Sequence, residues 1–143
     1  HHRLKFASGE NKDLDLGIIV DDHLLAVEVK AFGAPRKLRS RASLRTLNDR
    51  WQEKIQPEVE KIDALALTLA RHPIGRNYSL PVSVRWIIPL VSAPFPEWIP
   101  SLNKIWWLYA DVPRVCTPEE LFDVLGRIRR GEYPLNRYPV KGV

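Results

Sequence analysis

Residues 13–30, DLDLGIIVDDHLLAVEVK, contain two apolar runs on either side of Asp21-Asp22. Short runs rich in Val, Ile and Leu predict β-strands, and the two aspartates between them predict the turn of a hairpin. Charged side chains interrupt these runs at four positions: Asp13, Asp15, Glu28 and Lys30. The runs are too apolar for a strand with one solvated face, so the charges need a separate explanation.

The register of this hairpin decides where the charges lie. The pairs nearest a two- or four-residue loop centred on the aspartates are Val20 with His23 and Ile19 with Leu24. Continued pairing then places Asp15 opposite Glu28 and Asp13 opposite Lys30, with all four on one face of the sheet. A shift of one residue would put Asp15 and Glu28 on different faces.

Two carboxylates opposite each other destabilise an antiparallel pair unless something compensates them. Lys30 offsets part of the repulsion, and a divalent cation would offset more. Mg²⁺ prefers oxygen ligands and typically takes one or two protein carboxylates. Asp15 and Glu28, with the backbone carbonyl of Val29, are therefore candidate metal ligands. The alternative is a solvated charged face in which Asp13 and Lys30 form a cross-strand ion pair.

The rest of the chain divides into a helical block and a second block of strands. Residues 34–72 predict helix with a kink or restart at Pro57, and residues 80–130 predict strand, loop, strand and helix. Thr117 and Glu120 have the capping-box spacing at the start of that last helix, and Gly131 ends it. This order predicts one α/β domain over residues 1–143, with a central mixed β-sheet flanked by helices.

Composition and charge limit the function classes. A net charge of +5 favours a polyanionic partner, and a charge that serves only solubility is an equal alternative. No run approaches the ~20 apolar residues of a membrane span, so we expect a cytoplasmic protein without a membrane partner. Cys116 is the only cysteine, which excludes an intrachain disulfide and fits a reducing compartment. His1 and His2 resemble the end of an expression tag, consistent with a fragment of a longer protein.

An aspartate, a hairpin and then Glu-x-Lys, as in residues 13–32, resemble the signature of the PD-(D/E)XK nuclease superfamily. Leu14-Asp15 replaces the literal Pro-Asp. The later elements follow a similar order: a helix with glutamine, a strand over 84–91, and a last strand leading into a helix over 112–125. The resemblance implies a restriction-endonuclease-like fold, phosphodiester hydrolysis, and Mg²⁺ as cofactor, with Mn²⁺ as a substitute.

Position by position, Asp15 and Glu28 resemble the metal-binding carboxylates of that superfamily, and Lys30 resembles the lysine that orients the attacking water. Some of its branches add a glutamine in the following helix. Gln56 and Gln52 both fit that description, and the position of Gln56 beside the Pro57 restart favours it.

Basic residues follow the signature closely, where a phosphate backbone could meet them. They are Arg36, Lys37, Arg39, Arg41 and Arg45. A solvated basic loop is the alternative. We therefore expect a metal-dependent endonuclease acting on DNA in repair, restriction or defence. The alternative function is a nucleic-acid-binding module that keeps the nuclease fold without cleaving. A homodimer or additional domains are also consistent with the sequence.

Overall fold

The hairpin forms around Asp21-Asp22 as predicted. The computed structural model describes residues 2–34 and 41–142, without the side chains of residues 41–43. Strands β3 (Leu16–Val20) and β4 (His23–Val29) are antiparallel, and the predicted pairs Val20 with His23 and Ile19 with Leu24 are confirmed. Asp21 has a φ of 51°, a left-handed conformation that aspartate adopts more readily than most residues.

The hairpin is shorter than predicted. Its ladder ends at the pair of Leu16 with Val27, and β2 (Asn11–Leu14) instead pairs with β1 (His2–Lys5) in a separate two-stranded sheet. Asp13 therefore lies opposite Arg3, and the prediction that it lies opposite Lys30 is wrong. The chain bends at Asp15, between β2 and β3, so these two strands do not continue as one and β2 leaves the ladder of β4.

The remaining elements include three α-helices and five strands of the described residues. They are α1 (Arg41–Arg50), a π-helical segment (Trp51–Ile55), α2 (Gln56–Arg71), β5 (Trp86–Ser92), a 3-10 turn (Lys104–Trp106), β6 (Trp107–Tyr109), β7 (Val112–Pro113), β8 (Val115–Cys116), α3 (Pro118–Arg129) and β9 (Tyr138–Pro139).

The central sheet has the order β3-β4-β5-β8, and β9 also pairs with β5. It is mixed, because β3 and β9 are antiparallel to their neighbours while β4, β5 and β8 are parallel. The predicted α/β architecture with a central mixed sheet is confirmed. Strand β4 is buried from His23 to Glu28, as expected for a strand covered on both faces.

Alternate residues of β4 face two different apolar clusters. Leu24 and Ala26 belong to the cluster that includes the buried face of α2, and Leu25 and Val27 belong to the cluster that includes α3. Because side chains alternate along a strand, Glu28 follows Ala26 onto the face covered by α2. The pleat of β4 therefore directs this carboxylate towards a helix.

The predicted break near Pro57 takes the form of a π-helical segment. Proline has no N–H, and its ring crowds the carbonyl four residues earlier, so a regular α-helix cannot pass through it undisturbed. The preceding turn widens, and the Gln56 N–H donates to the carbonyl of Trp51, five residues back. Trp51 and Ile55 remain buried within this wider turn, in the same cluster as Val59.

The last helix begins and ends as the sequence predicts. The Thr117 hydroxyl accepts from the Glu120 N–H at 3.3 Å, and the Glu120 carboxylate accepts from the Thr117 N–H at 2.7 Å. This reciprocal pair satisfies two backbone donors at the start of α3. Gly131 follows the helix with a φ of 80°, which glycine adopts without strain.

A buried histidine ties the C-terminal segment to the start of β4. His23 is 1% exposed, and its ring stacks with those of Tyr133 and Trp86 at centroid distances of 5.0 and 6.5 Å. Its Nδ1 lies 2.7 Å from an Asp22 carboxylate oxygen, and its Nε2 lies 3.1 Å from the Arg137 guanidinium. Burial lowers the pKa of His23 below 6.5, and Arg137 adds to this effect against the opposing charge of Asp22.

This lowered pKa predicts a pH-dependent stability. Below pH 6.5 the unfolded chain binds a proton at His23 that the folded chain does not, so the free energy of unfolding should fall as the pH falls through 6.5. Urea unfolding at pH 7.5, 6.5 and 5.5 measures the slope. His23→Gln should reduce this slope, and an unchanged slope in that variant would contradict the assignment to His23.

Candidate functional site

The carboxylate of Glu28 is the centre of the candidate site. The residue is 3% exposed, and its Oε1 lies 2.8 Å from the ammonium of Lys30 and 2.8 Å from that of Lys61. Removing a carboxylate from water costs several kcal/mol when nothing compensates its charge. Two cations, one from β4's own C-terminal end and one from α2, provide that compensation.

Glu58 on α2 completes a group of two acids and two bases. Its Oε2 lies 3.1 Å from Lys30 Nζ and 3.9 Å from Lys61 Nζ. At 3.1 Å this buried oxygen is within hydrogen-bond distance of the Lys30 ammonium. Glu58 and Lys61 are three residues apart, which places them on one helix face above Glu28.

Lys30 remains a cation in this arrangement. Burial lowers its pKa, but the neighbouring carboxylates of Glu28 and Glu58 outweigh burial and raise the pKa above its ordinary value of 10.5. At neutral pH the side chain therefore carries a proton and a positive charge. It is suited to orienting a ligand and stabilising negative charge rather than to removing a proton.

Asp15 lies beside Glu28 through a backbone contact. Its Oδ2 accepts a hydrogen bond from the N–H of Val29 at 2.9 Å, where the hairpin ladder has already ended. The side chain thus satisfies a backbone donor at the end of β4. This bond brings the Asp15 carboxylate to the peptide that joins Glu28 to Val29.

A cleft of 380 Å³ opens next to Glu28, lined by residues of β2 and α2 that include Lys12, Asp13 and Lys61. Across residues 2–34 and 41–142, no three His, Cys, Asp or Glu side chains converge as metal ligands. Asp15 and Glu28 nevertheless provide the two hard carboxylates that suffice for Mg²⁺, whose other ligands are commonly waters and substrate oxygens.

Three of the predicted site residues, Gln56, Gln52 and Val29, have no side-chain contact with Glu28 among the contacts of the described residues. Gln56 donates its side-chain amide to Glu60 at 2.8 Å, and Gln52 is exposed. Gln56 precedes Glu58 by two residues, about 200° around an α-helix, so the two point to different sides. The Val29 side chain is exposed. That the Val29 carbonyl binds a metal ion stays a prediction.

The predicted nucleic-acid-binding residues are only partly described. Arg36, Lys37 and Arg39 lie outside the described residues, and Arg41 is described in its backbone alone. Arg45 is exposed on α1. Their contact with a phosphate backbone stays a prediction.

A second ion pair fixes the proline-rich loop beside the segment that follows Lys30. The Arg50 guanidinium donates to both carboxylate oxygens of Glu97, at 2.8 and 2.5 Å, and to the carbonyl of Gly33 at 2.8 Å. It also lies over the ring of Phe32, 5.6 Å from the centroid. The Glu97 side chain is 1% exposed, so this contact anchors the loop from within.

Glu58 and Lys61 are not among the site residues that the sequence predicts. One signal was present: both residues flank the buried positions Val59 and Ile62 in a helix whose partner strand ends in Glu-x-Lys. Polar residues at the border of a buried helix stripe often lie over the edge of the sheet that the stripe covers.

Comparison with known proteins gives no relative: no family model matches the sequence, and neither does a curated protein or a solved structure. Among the helices that the structure describes, none has both the length and the apolar character needed to cross a membrane. The site must therefore be interpreted from its own geometry.

The Asp15 contact predicts a graded effect on stability. Asp15→Ala removes the acceptor for the exposed Val29 N–H and should lower the free energy of unfolding by about 0.5–1.5 kcal/mol. Asp15→Asn keeps a side-chain oxygen and should cost less. Urea denaturation of both variants is the test, and an alanine variant as stable as the unaltered protein would contradict the contact.

Proposed function

We propose that this chain is a Mg²⁺-dependent endonuclease with a restriction-endonuclease-like fold, acting on DNA in repair, restriction or defence. The observation that supports it best is the Asp15 carboxylate on the Val29 N–H, one residue after Glu28, together with Lys30 on the Glu28 carboxylate. These are the three residues that the superfamily resemblance assigns to metal binding and water orientation. A cytoplasmic location fits this role.

The order of elements around the site supports the same fold. Asp15 directly precedes β3, Glu28 lies in β4, and a helix then leads to β5, which is parallel to β4. The glutamate and lysine thus occupy the C-terminal end of a central strand, next to the start of the crossover helix. In sheets of parallel strands this edge is where ligands commonly bind.

Asp15 and Glu28 would hold the metal ion, with the Val29 carbonyl as a further oxygen ligand. A bound Mg²⁺ lowers the pKa of a coordinated water and stabilises charge on the phosphate oxygens.

Lys30 would act on the substrate rather than as a base. Its raised pKa keeps the ammonium charged, and a charged donor beside the scissile phosphate stabilises the negative charge that develops there. The same group can orient the attacking water through a hydrogen bond. Glu58 would hold Lys30 in position for both contacts.

One observation favours the alternative of a nucleic-acid-binding module that does not cleave. Glu28 Oε1 already has two ammonium partners, so its charge is compensated without a metal ion. A chain that had lost the metal site could keep this arrangement for stability alone. The net charge of +5 serves binding equally well in both cases.

Cleavage assays separate these functions. Plasmid, linear DNA, single-stranded DNA and RNA are incubated with Mg²⁺, Mn²⁺ or EDTA. We expect DNA cleavage with either metal and none with EDTA, and at least a ~100-fold loss of rate in Glu28→Gln and Lys30→Ala.

Matched controls replace the same residue types away from the site: Glu119→Gln on the first turn of α3 and Lys104→Ala on an exposed turn. Both should cleave at the unaltered rate. Cleavage that survives EDTA or Glu28→Gln would contradict the proposed site. Binding of DNA without cleavage under any condition would favour the binding module.

A further inference from the structure

Lys61 contacts the carboxylate that would bind the metal ion. Its ammonium donates to Glu28 Oε1 at 2.8 Å, the same oxygen that Lys30 contacts at 2.8 Å. A dication bound to Glu28 would lie within a few ångströms of both ammonium groups, and this repulsion is strong at a site shielded from water. Both lysines and the cation cannot all keep their places on this carboxylate.

The two lysines differ in what holds them. Lys30 is 27% exposed in its side chain and has a nearer second carboxylate, Glu58, at 3.1 Å. The Lys61 side chain is 56% exposed, and its distance to Glu58 is 3.9 Å. Lys61 can return to water at little desolvation cost, because most of its side chain is already there.

The surroundings also offer Lys61 a place to move. It lines the 380 Å³ cleft beside Glu28, so its long side chain can leave the carboxylate without displacing packed residues. Lys12 lines the same cleft, but its ammonium contacts Glu10 and Thr68, each at 3.3 Å, instead of Glu28. Of the two lysines that line the cleft, Lys61 therefore contacts the candidate metal ligand Glu28, and Lys12 does not.

We propose that Lys61 is a built-in competitor of the metal ion: it compensates Glu28 while no cation is bound and is displaced into the cleft when a divalent cation binds. This inference rests on the proposed metal site. Lys61 would set the metal concentration at which the site fills, and it is a positioning residue rather than a catalytic one.

Metal affinity tests this directly, without an activity assay. Mn²⁺ binding is titrated by electron paramagnetic resonance at pH 7.5 and 0.1 M salt in the unaltered protein, Lys61→Met, Lys61→Gln, Lys12→Met and Glu28→Gln. Removing the competing charge should tighten Mn²⁺ binding about tenfold in both Lys61 variants. Lys12→Met removes the same charge from the same cleft and should change affinity by less than about threefold. Glu28→Gln should lose the site.

The outcomes distinguish this inference from the function on which it rests. Mn²⁺ binding that needs Glu28, with both Lys61 variants no tighter than Lys12→Met, would overturn the competitor role and leave the metal site standing. Binding that Glu28→Gln does not weaken, or no binding in any variant, would overturn both. Thermal unfolding checks that each variant folds. If Lys61→Met does not fold, the Mn²⁺ affinity of Lys61→Gln alone is compared with that of the unaltered protein.

Discussion

The buried carboxylate of Glu28 is the charge around which the described structure is arranged. Its charge is compensated by Lys30, which directly follows β4, and by Lys61, on a helix 33 positions away. An unpaired charge at this depth would cost several kcal/mol, so α2 must lie over β4 in one alignment. The apolar stripe of α2 requires the same alignment, because Val59 and Ile62 pack into the cluster that contains Ala26. Packing and charge therefore specify one arrangement, as expected of a minimally frustrated fold.

The parts of this fold that the sequence predicts are those set by local chemistry. A two-residue turn and the period of two along a strand were enough to pair Val20 with His23, and the spacing of Thr117 and Glu120 was enough to start α3. The end of the hairpin was missed because the chain bends at Asp15 and the residues before it pair with β1. The Asp15 side chain accepts the hydrogen bond of the Val29 N–H in place of a ladder partner. Nothing within residues 13–30 signals the presence of β1.

The site was predictable in its strand half and not in its helical half. Asp15, Glu28 and Lys30 lie close together in sequence, whereas the part played by Lys61 depends on the phase of α2 relative to the sheet. The π-helical segment alters that phase just before Gln56, so helical spacing counted from Trp51 does not give the faces of α2. Gln56 was preferred from the resemblance and from its position beside Pro57, and neither criterion takes account of which face of α2 covers the sheet. Ion pairs between residues far apart in sequence, such as Arg50 with Glu97, leave no pattern in the local sequence that would predict them.

One measurement tests most directly the central proposal, a divalent-cation site formed by the Asp15 and Glu28 carboxylates. Crystals grown with Mn²⁺ and measured for anomalous scattering would locate the ion. We predict a peak about 2.0–2.3 Å from carboxylate oxygens of both Asp15 and Glu28, with Lys61 turned into the cleft. An ion found only elsewhere, or a Glu28 that keeps both lysines at saturating Mn²⁺ with no peak beside it, would contradict the account.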